Sequence, residues 1–236
     1  MKGFHVDSDL SPNTPLYRYV PIESFISCVE TKQLHLTKVC LWEDTWEMFH
    51  QKIPLVNANG KLHSNSTLED FYGQCWSRDK ESDAMWRIYS HSKTGVQIAT
   101  SVEKFASVQH DNLCYLGNVT YFETIADLLE KSKTSSKRRP YDFALYKRKA
   151  FSHESEVRLL THAQHLPIRP THISIPIDPP TFIEGVTIDP RAADWYVNAI
   201  AGYCERVGLV APVKSSLYEP DPHLKAGVVG RWVPVK

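Results

Sequence analysis

The sequence lacks the glycine-rich motifs that commonly bind nucleotide phosphates. Its 10 glycines form no G-x-G-x-x-G turn after a predicted strand, and the chain contains no G-x-x-x-x-G-K-[ST] segment. The first motif lets a Rossmann fold hold a pyrophosphate at the start of a helix, and the second surrounds the phosphates of a nucleoside triphosphate. Their absence excludes a Rossmann dehydrogenase and a P-loop NTPase.

Long apolar runs are missing as well. No window approaches the ~20 apolar residues of a membrane helix, and residues 1–7 have no apolar core of signal-peptide length. The 5 cysteines are odd in number and widely spaced, which favours reduced thiols over a disulfide framework. We therefore expect a cytoplasmic protein with no membrane partner.

A metal site is not expected either. Four histidines crowd the region 153–172, and His162 and His165 are spaced so that two nitrogens could reach one ion. No cysteine or carboxylate stands at the spacing that would complete the four ligands of a structural zinc site. Ordinary surface and core histidines explain the cluster.

Acidic and basic side chains balance in this chain. The 27 Lys and Arg residues equal the 27 Asp and Glu residues, so the formal net charge is zero. A protein whose whole surface binds a polyanion carries a basic excess, so that class is excluded and only a local basic patch remains open. The 236 residues are enough for one sizeable core without a disulfide or metal. We predict an irregular arm over residues 1–15 and a single domain over 16–236.

Predicted strands outnumber predicted helices and do not alternate with them. Helical periodicity or capping residues indicate helices over 22–29, 42–52, 82–94, 101–109 and 190–207, with two further pieces within 125–149 around Pro140. Strands are predicted over 16–19, 34–38, 72–77, 96–100, 113–122, 156–161, 173–177 and 182–188, and a polar loop over 57–66. This irregular mixture favours an α+β fold over a doubly wound parallel sheet.

Two carboxylates stand close together in the sequence E-S-E-V-R-L. If this is a strand, the period of two places Val157 and Leu159 on the buried face. The same period places Glu154, Glu156 and Arg158 on the opposite face. Like charges at this spacing repel and raise each other's pKa, and they are common where a ligand or a cation uses them. The alternative is a half-exposed strand with a charged outer face.

An arginine is framed by aromatic residues in Leu16-Tyr17-Arg18-Tyr19. A guanidinium at such a position can hold a phosphate or carboxylate through two parallel hydrogen bonds, with the tyrosines shielding it from water. The alternative is an arginine stem that lies on tyrosine rings at the surface.

A third candidate segment is Cys75-Trp76-Ser77, which ends a predicted strand. The following predicted helix carries Trp86 and Tyr89. A hydroxyl and an aromatic wall would then lie at the end of the sheet, where ligands commonly bind. The alternative is that Trp76, Trp86 and Tyr89 are core residues.

The segment 131–149 is rich in Lys and Arg, with Tyr141, Phe143 and Tyr146 among the charges. A solvated helix face is the usual meaning of such a run. Basic residues interleaved with aromatics also suit nucleic acid, whose phosphates and bases they can bind. In that case we expect the contacts from Arg138, Arg139, Arg148 and Lys149.

The order of the distinctive segments along the chain is informative in itself. The segments are L-Y-R-Y at 16–19, W-E-D-T-W-E at 42–47, C-W-S at 75–77, M-W-R-I-Y-S-H-S-K-T-G-V-Q-I-A at 85–99 and E-S-E-V-R-L-L at 154–160. This succession resembles a family of bacterial and phage proteins of unknown function. That family in turn resembles the ADP-ribosyltransferase fold, which implies a split, mostly antiparallel β-sheet with flanking helices.

The resemblance also implies a site for NAD as a substrate. Its three parts are an Arg on the first strand, a Ser after an aromatic residue on a second and a Glu that begins a third, which match Arg18, Ser77 and Glu156. The E-x-E pattern at 154–156 is similar to that of ADP-ribosyltransferases that act on arginine, and it implies that Glu154 orients the acceptor.

The remaining members of the implied site are aromatic. Tyr17 would shield the phosphate-binding arginine from water, and Trp76 or Tyr89 would stack on nicotinamide. The predicted function is therefore an NAD-binding ADP-ribosyltransferase-like enzyme without a metal. It would transfer ADP-ribose to a protein or nucleic-acid acceptor, or hydrolyse NAD. The alternative is a catalytically inactive nucleic-acid-binding module built on residues 131–149.

Overall fold

The computed structural model describes residues 3–42, 55–56, 62–63, 70–108, 113–134, 140–163 and 169–219. Its strands are β1 (Gly3–Val6), β2 (Pro15–Val20), β3 (Gln33–Lys38), β4 (Leu55–Val56), β5 (Leu62–His63), β6 (Phe71–Ser77), β7 (Val96–Ser101), β8 (Leu113–Asn118), β9 (Thr120–Phe122), β10 (Tyr146–Arg148), β11 (Glu156–His162), β12 (His172–Pro176), β13 (Gly185–Ile188) and β14 (Val213–Lys214). Its helices are α1 (Ile22–Thr31), α2 (Asp83–Tyr89), α3 (Val102–Ser107), α4 (Ile125–Thr134), α5 (Pro179–Phe182) and α6 (Asp194–Arg206). Short 3-10 segments cover Val39–Leu41, Pro140–Leu145 and Lys149–Glu154. None of the described helices has the length and apolar content needed to span a bilayer.

One large sheet of ten strands organises the molecule. Its main path is β1-β8-β11-β6-β2-β7-β13-β14, and β3 joins β6 to β12. β1 is parallel to β8 and β14 is parallel to β13, whereas the other pairs of this sheet are antiparallel. Helices lie between strands without forming repeated βαβ units. The predicted α+β class and mostly antiparallel sheet are confirmed.

The sheet is split beside β6. β2 pairs with β7 along its whole length but meets β6 at one position, where Tyr17 lies opposite Ser77. β3 pairs with the other end of β6. Residues 74–76 therefore have no described strand partner on this side, and the Gln74 side chain donates to the His35 carbonyl across the gap (3.0 Å). Because α1 carries the chain from β2 to β3, these two strands diverge and leave an opening.

Apolar residues cover both faces of the central strands. On one face the helices contribute the buried residues Phe25, Phe105, Phe182 and Tyr196 to the main core. A smaller cluster contains Val39, Phe71, Tyr115, Ala144, Leu145 and Leu160, and it lies on the opposite face because neighbouring residues of a strand alternate between faces. The central strand β11 is thus shielded from water on both sides.

The prediction of an irregular arm over residues 1–15 is wrong for Gly3–Val6. These residues form β1 and pair in parallel with Leu113–Leu116 of β8. The pairing partner is more than 100 residues away in the sequence, so the short segment has no local signal that would distinguish it from a loop. The remainder of the arm runs through turns to β2.

The segment 125–149 is only partly helical. Its first predicted piece is confirmed as α4, but the second is wrong: residues Pro140–Leu145 form a 3-10 segment and Tyr146–Arg148 extend as β10. The extended conformation follows from parallel pairing between β10 and Thr120–Phe122. The predicted helix at 42–52 and the predicted loop at 57–66 lie mostly outside the described residues.

A glycine of β6 permits close packing above the sheet. A Cβ at Gly73 would lie 2.7 Å from Cζ2 of Trp42 and 2.8 Å from Cδ2 of Leu160. We expect Gly73→Ala to lower the free energy of unfolding by about 1–3 kcal/mol, measured by urea denaturation, because overpacking displaces these side chains. Gly202→Ala on α6 is the control, since an added Cβ meets nothing within 4 Å there. It should raise the free energy of unfolding by about 0.5–1 kcal/mol. Equal effects of the two substitutions would contradict this account.

Candidate functional site

A cavity of about 200 Å³ opens where β2 separates from β6. It is lined by residues of β2, β6, α2 and the start of β11, together with residues at the start of α1. All seven residues that the sequence predicts for the NAD site line this cavity: Tyr17, Arg18, Trp76, Ser77, Tyr89, Glu154 and Glu156. The structure therefore brings the candidates together, and their role in binding NAD stays a prediction.

Strand register explains why three of these residues meet. β11 and β6 pair so that Glu156 lies opposite Ser77, and Ser77 in turn lies opposite Tyr17 of β2. The three residues thus form a row across three neighbouring strands. In the same register Arg158 lies opposite Cys75, so both residues are on the face of the sheet that carries Glu156 and Ser77.

Glu154 reaches the cavity by a turn and not by strand alternation. It ends the 3-10 segment Lys149–Glu154, and Ser155 then adopts a left-handed conformation with φ of 44°. The Ser155 hydroxyl donates to the Asp79 carboxylate (2.5 Å), and the Arg78 N–H donates to the Ser155 carbonyl (3.0 Å). These contacts hold a backbone conformation that non-glycine residues rarely adopt. The predicted strand over 156–161 is confirmed, and Glu154 precedes it, so the period of two does not account for the position of Glu154.

The two carboxylates belong to a buried network of four charges. Nζ of Lys147 lies 2.6 Å from Oε2 of Glu154 and 3.1 Å from Oε2 of Glu156. Arg158 donates from Nε to Oε1 of Glu156 (2.9 Å) and from Nη2 to Oε2 (3.0 Å). We call Lys147, Glu154, Glu156 and Arg158 the carboxylate network. All four are buried, and Arg158 is 0% exposed, so the predicted outer face of this strand is not a surface.

The cations determine the ionisation of Glu156. Burial favours the neutral acid, but the guanidinium of Arg158 and the ammonium of Lys147 together lower the pKa of Glu156 to about 2. Cys75 adds a hydrogen bond to Glu156, and burial raises the pKa of this thiol well above its usual value. The expectation that two neighbouring carboxylates raise each other's pKa is therefore wrong for Glu156, because each carboxylate has its own cation.

Sequence reasoning missed the two cations of the network. Lys147 stands in a basic run that has the composition of a solvated surface, yet it is buried in the structure. Arg158 was expected on the face of Glu156, with an exposed charged face as the alternative; its guanidinium instead lies buried 4.4 Å from the centre of the Trp42 ring and donates to the Ala144 carbonyl (2.5 Å). Both contacts join segments far apart in the sequence, so no local pattern signals them.

Arg18 is a cation of a different kind. Its side chain lines the cavity, and among the described residues no side chain or carbonyl accepts a hydrogen bond from it and no carboxylate pairs with it. Burial lowers the pKa of Arg18, and the neighbouring groups of Cys75, Cys28 and Tyr89 offset this only in part. A half-buried guanidinium without an anionic partner favours binding of an anion from solution.

The aromatic candidates differ in their availability. Tyr89 is 40% exposed and its ring stacks on Tyr19 with centroids 6.5 Å apart, so one face of the ring remains open to a ligand. Trp76 is 2% exposed and packs edge-to-face against Phe105 (5.1 Å) and Phe182 (6.2 Å) in the main core. Alternation along β6 directs Cys75 and Ser77 to one face and the Trp76 ring to the other, which agrees with the alternative that Trp76 is a core residue, and stacking of Trp76 on nicotinamide stays a prediction.

The structure changes the interpretation of the basic segment. Lys149 is exposed and pairs with Glu123, and Lys131 pairs with Asp127 at 3.0 Å. Arg148 is half-buried and lies 5.2 Å from the Phe151 ring. Arg138 and Arg139 lie outside the described residues. Nucleic-acid binding by Arg138, Arg139, Arg148 and Lys149 stays a prediction, on a segment that already uses several of its cations internally.

The described part of the chain contains no group of three or more His, Cys, Asp or Glu side chains able to hold an ion. His162 packs against the Phe71 ring with centroids 4.7 Å apart, and His165 lies outside the described residues. Aromatic packing thus accounts for the described member of this histidine pair.

Comparison with protein families gives one match. Residues 85–159 match the model of a family described as a protein of unknown function, DUF2971. This stretch spans α2 to β11 and includes Tyr89, Glu154 and Glu156. No curated protein matches the chain.

Among solved structures the chain is similar to Thermus sp. 2.9 DarT. The complex of DarT with NAD+ is 11% identical over 87% of this chain and 97% of that chain, with a TM-score of 0.39. The complex with ADP-ribosylated ssDNA is 11% identical over 91% and 96% of the two chains, with a TM-score of 0.39. The complex with carba-NAD+ is 10% identical over 86% and 96%, with a TM-score of 0.40.

The carboxylate network makes stability depend on pH. Because the folded state lowers the pKa of Glu156 from 4.5 to about 2, this stabilisation is present above about pH 4.5 and is lost as the pH falls toward 2. The difference corresponds to roughly 3 kcal/mol. The difference between the free energies of unfolding of wild type and Glu156→Gln should therefore change by about this amount, to the disadvantage of wild type, when the pH is lowered from 6 to 2.

The matched control for this prediction is Glu123→Gln, which removes a carboxylate that is exposed and pairs with Lys149. Its free energy of unfolding should stay close to that of wild type over the whole range, because exposed ion pairs contribute only ~0–1 kcal/mol. A gap between wild type and Glu156→Gln that does not change with pH would show that Glu156 is not held ionised by the fold.

Proposed function

We propose that the chain binds NAD in the cavity between β2 and β6 and breaks the bond between nicotinamide and ribose. The ADP-ribose is passed to a macromolecular acceptor or to water. One observation carries the proposal: an ionised carboxylate, Glu156, and a guanidinium without a described anionic partner, Arg18, line the same cavity. Opposite charges that do not pair with each other suit a ligand with both a phosphate and a cationic ring.

The cavity dimensions match one end of the dinucleotide. Its volume of about 200 Å³ is below the ~300–1,000 Å³ of pockets that enclose a whole drug-sized ligand. The enclosed part therefore suits the nicotinamide and its ribose, and the adenosine end would extend over the surface. Arg18 is then well suited to the phosphates that join the two halves.

The chemistry requires a carboxylate near the sugar. When the glycosidic bond breaks, its electron pair stays on the nicotinamide nitrogen and positive charge develops on C1′ of the ribose, as in glycoside cleavage. An ionised Glu156 stabilises this charge and accepts a hydrogen bond from a ribose hydroxyl. Its low pKa keeps it ionised throughout the physiological range.

The other lining residues take supporting roles. Ser77 lies directly opposite Glu156 and its hydroxyl accepts the Asp79 N–H (3.1 Å), so it orders the strand end that carries the site. Tyr17 is the next residue in the same row and shields the phosphate site. Tyr89 offers the open ring face for the nicotinamide. Glu154 orients the acceptor of ADP-ribose.

The first test is consumption of NAD. Glu156→Gln should lower the rate of nicotinamide release by about 10²–10³, because the transition state loses its nearest negative charge. The rate is measured by chromatographic separation of nicotinamide from NAD, with circular dichroism to verify the fold. The control Glu123→Gln removes an exposed carboxylate away from the cavity and should retain the wild-type rate. Equal turnover by wild type and Glu156→Gln would refute the proposal.

The second test uses the position of Arg18 in the cavity wall without an anionic partner among the described residues. Arg18→Gln should weaken NAD binding roughly 10- to 100-fold, since hydrogen bonds to charged groups contribute ~1.5–3 kcal/mol. The same substitution should leave the melting temperature unchanged or raise it, because it removes a half-buried charge that lacks a partner. Binding is measured by calorimetry and stability by thermal unfolding.

The matched control is Arg191→Gln. Arg191 is paired with the buried Asp189 at 2.7 Å and donates to the Trp86 and Ser90 carbonyls. Its loss should lower the melting temperature and leave NAD affinity unchanged. If Arg18→Gln behaved in the same way, Arg18 would be a structural residue and not part of a binding site.

A further inference from the structure

The two oxygens of Glu154 have different surroundings. Oε2 accepts a short hydrogen bond from Nζ of Lys147 (2.6 Å), whereas Oε1 accepts none from any described residue. Glu154 also lines the cavity. One carboxylate oxygen is thus engaged inside the protein, and the other is available to a donor that enters the cavity.

This arrangement is unfavourable for a guanidinium. Recognition of an arginine by a carboxylate normally uses two parallel hydrogen bonds to both oxygens of the same group. At Glu154 Oε2 already accepts from Lys147, and at Glu156 both oxygens accept from Arg158 while Oε2 also accepts from Lys147. A guanidinium that bound both oxygens of Glu154 would have to share Oε2 with the Lys147 ammonium, which brings two like charges within hydrogen-bond distance of one oxygen.

The local charge balance points the same way. The two carboxylates already have Lys147 and Arg158 as partners, and Arg18 adds a third positive charge to the cavity wall. A cationic acceptor would either add a further positive charge to this wall or displace Lys147 from Glu154 and leave its buried ammonium with Glu156 alone, and both outcomes are unfavourable. A neutral donor requires no such displacement.

We infer that the acceptor of ADP-ribose is a neutral O–H or N–H group that donates to Oε1 of Glu154, and that Lys147 excludes guanidinium acceptors. The inference rests on the proposed function and deepens it by naming the acceptor class. It departs from the arginine specificity that the E-x-E pattern at 154–156 implies. The pattern supplies the two carboxylates, and the lysine beside them changes what they can bind.

The transfer step balances with these groups alone. The C1′–nitrogen bond breaks and its electron pair leaves with nicotinamide. A lone pair of the acceptor oxygen or nitrogen forms the new bond to C1′. The proton of that acceptor passes to Oε1 of Glu154 and from there to solvent, so no oxidant, metal or further reactant is required.

The experiment offers two small acceptors of different charge to the enzyme and NAD. Agmatine presents a guanidinium, and methanol presents a neutral hydroxyl; mass spectrometry quantifies each ADP-ribosyl adduct. Wild type should form the methyl adduct and at least 10-fold less of the agmatine adduct at equal acceptor concentration. An agmatine adduct formed by wild type at a rate equal to or above that of the methyl adduct would overturn the inference.

Variants of Lys147 identify the residue responsible. Lys147→Met should gain formation of the agmatine adduct, because the ammonium that would share Oε2 of Glu154 with the guanidinium is removed. Lys147→Arg keeps the cation and should keep the exclusion. Lys147→Gln serves as a milder replacement if Lys147→Met does not fold. Absence of any gain in folded Lys147→Met and Lys147→Gln would assign the exclusion to something other than Lys147.

Binding of agmatine separates failure of the inference from failure of the proposed function. Calorimetry without NAD should detect no agmatine binding to wild type and measurable binding to Lys147→Met. Agmatine binding to wild type that Glu154→Gln abolishes would overturn the inference whether or not NAD is consumed. Lack of NAD consumption by wild type would refute the proposed function, and the binding measurement would still decide whether Lys147 shields Glu154 from a guanidinium.

Discussion

The carboxylate network is the interaction on which the rest of the structure depends. Removing a charge from water costs several kcal/mol even after the protein relaxes around it, so buried ions are stable only with close partners and complete cover. Here the partners come from β10 and β11, and the cover comes from the Trp42 ring and from the 3-10 segment Pro140–Leu145. The charges of the network therefore require that the Trp42 ring and the segment Pro140–Leu145 cover this face of the sheet.

This requirement explains the local structure of residues 140–156. Lys147 reaches both glutamates only because Tyr146–Arg148 extend beside β9 and do not continue as a helix. The left-handed Ser155 then turns the chain so that Glu154 and Glu156 approach the same ammonium. The strained conformation of Ser155 persists because hydrogen bonds hold this residue in place. Ser155 stands between the two glutamates, where the chain has to turn for their carboxylates to converge.

Periodicity and capping predict the α+β class and most elements, because these depend on neighbours in the sequence. The convergence of Arg18, Ser77 and Glu156 was expected from a family resemblance, since residues on three strands carry no signal of their register. The errors concern long-range pairing: β1 pairs with a distant strand, and Lys147 is buried although its neighbours are basic. The ring of Trp76 lies on the core face of β6, as the alternative for this residue had it.

Buried and half-buried cations in this protein fall into two groups that have different consequences. Lys147, Arg158 and Arg191 each meet a carboxylate within hydrogen-bond distance, so their charges are compensated in the folded chain itself. Arg18 lines a cavity without such a partner among the described residues, and burial lowers its pKa. The fold supplies several hydrogen-bond partners to each cation of the first group, so it is able to supply a partner to Arg18 as well. That it does not supports the proposal that the anion for Arg18 arrives with the ligand.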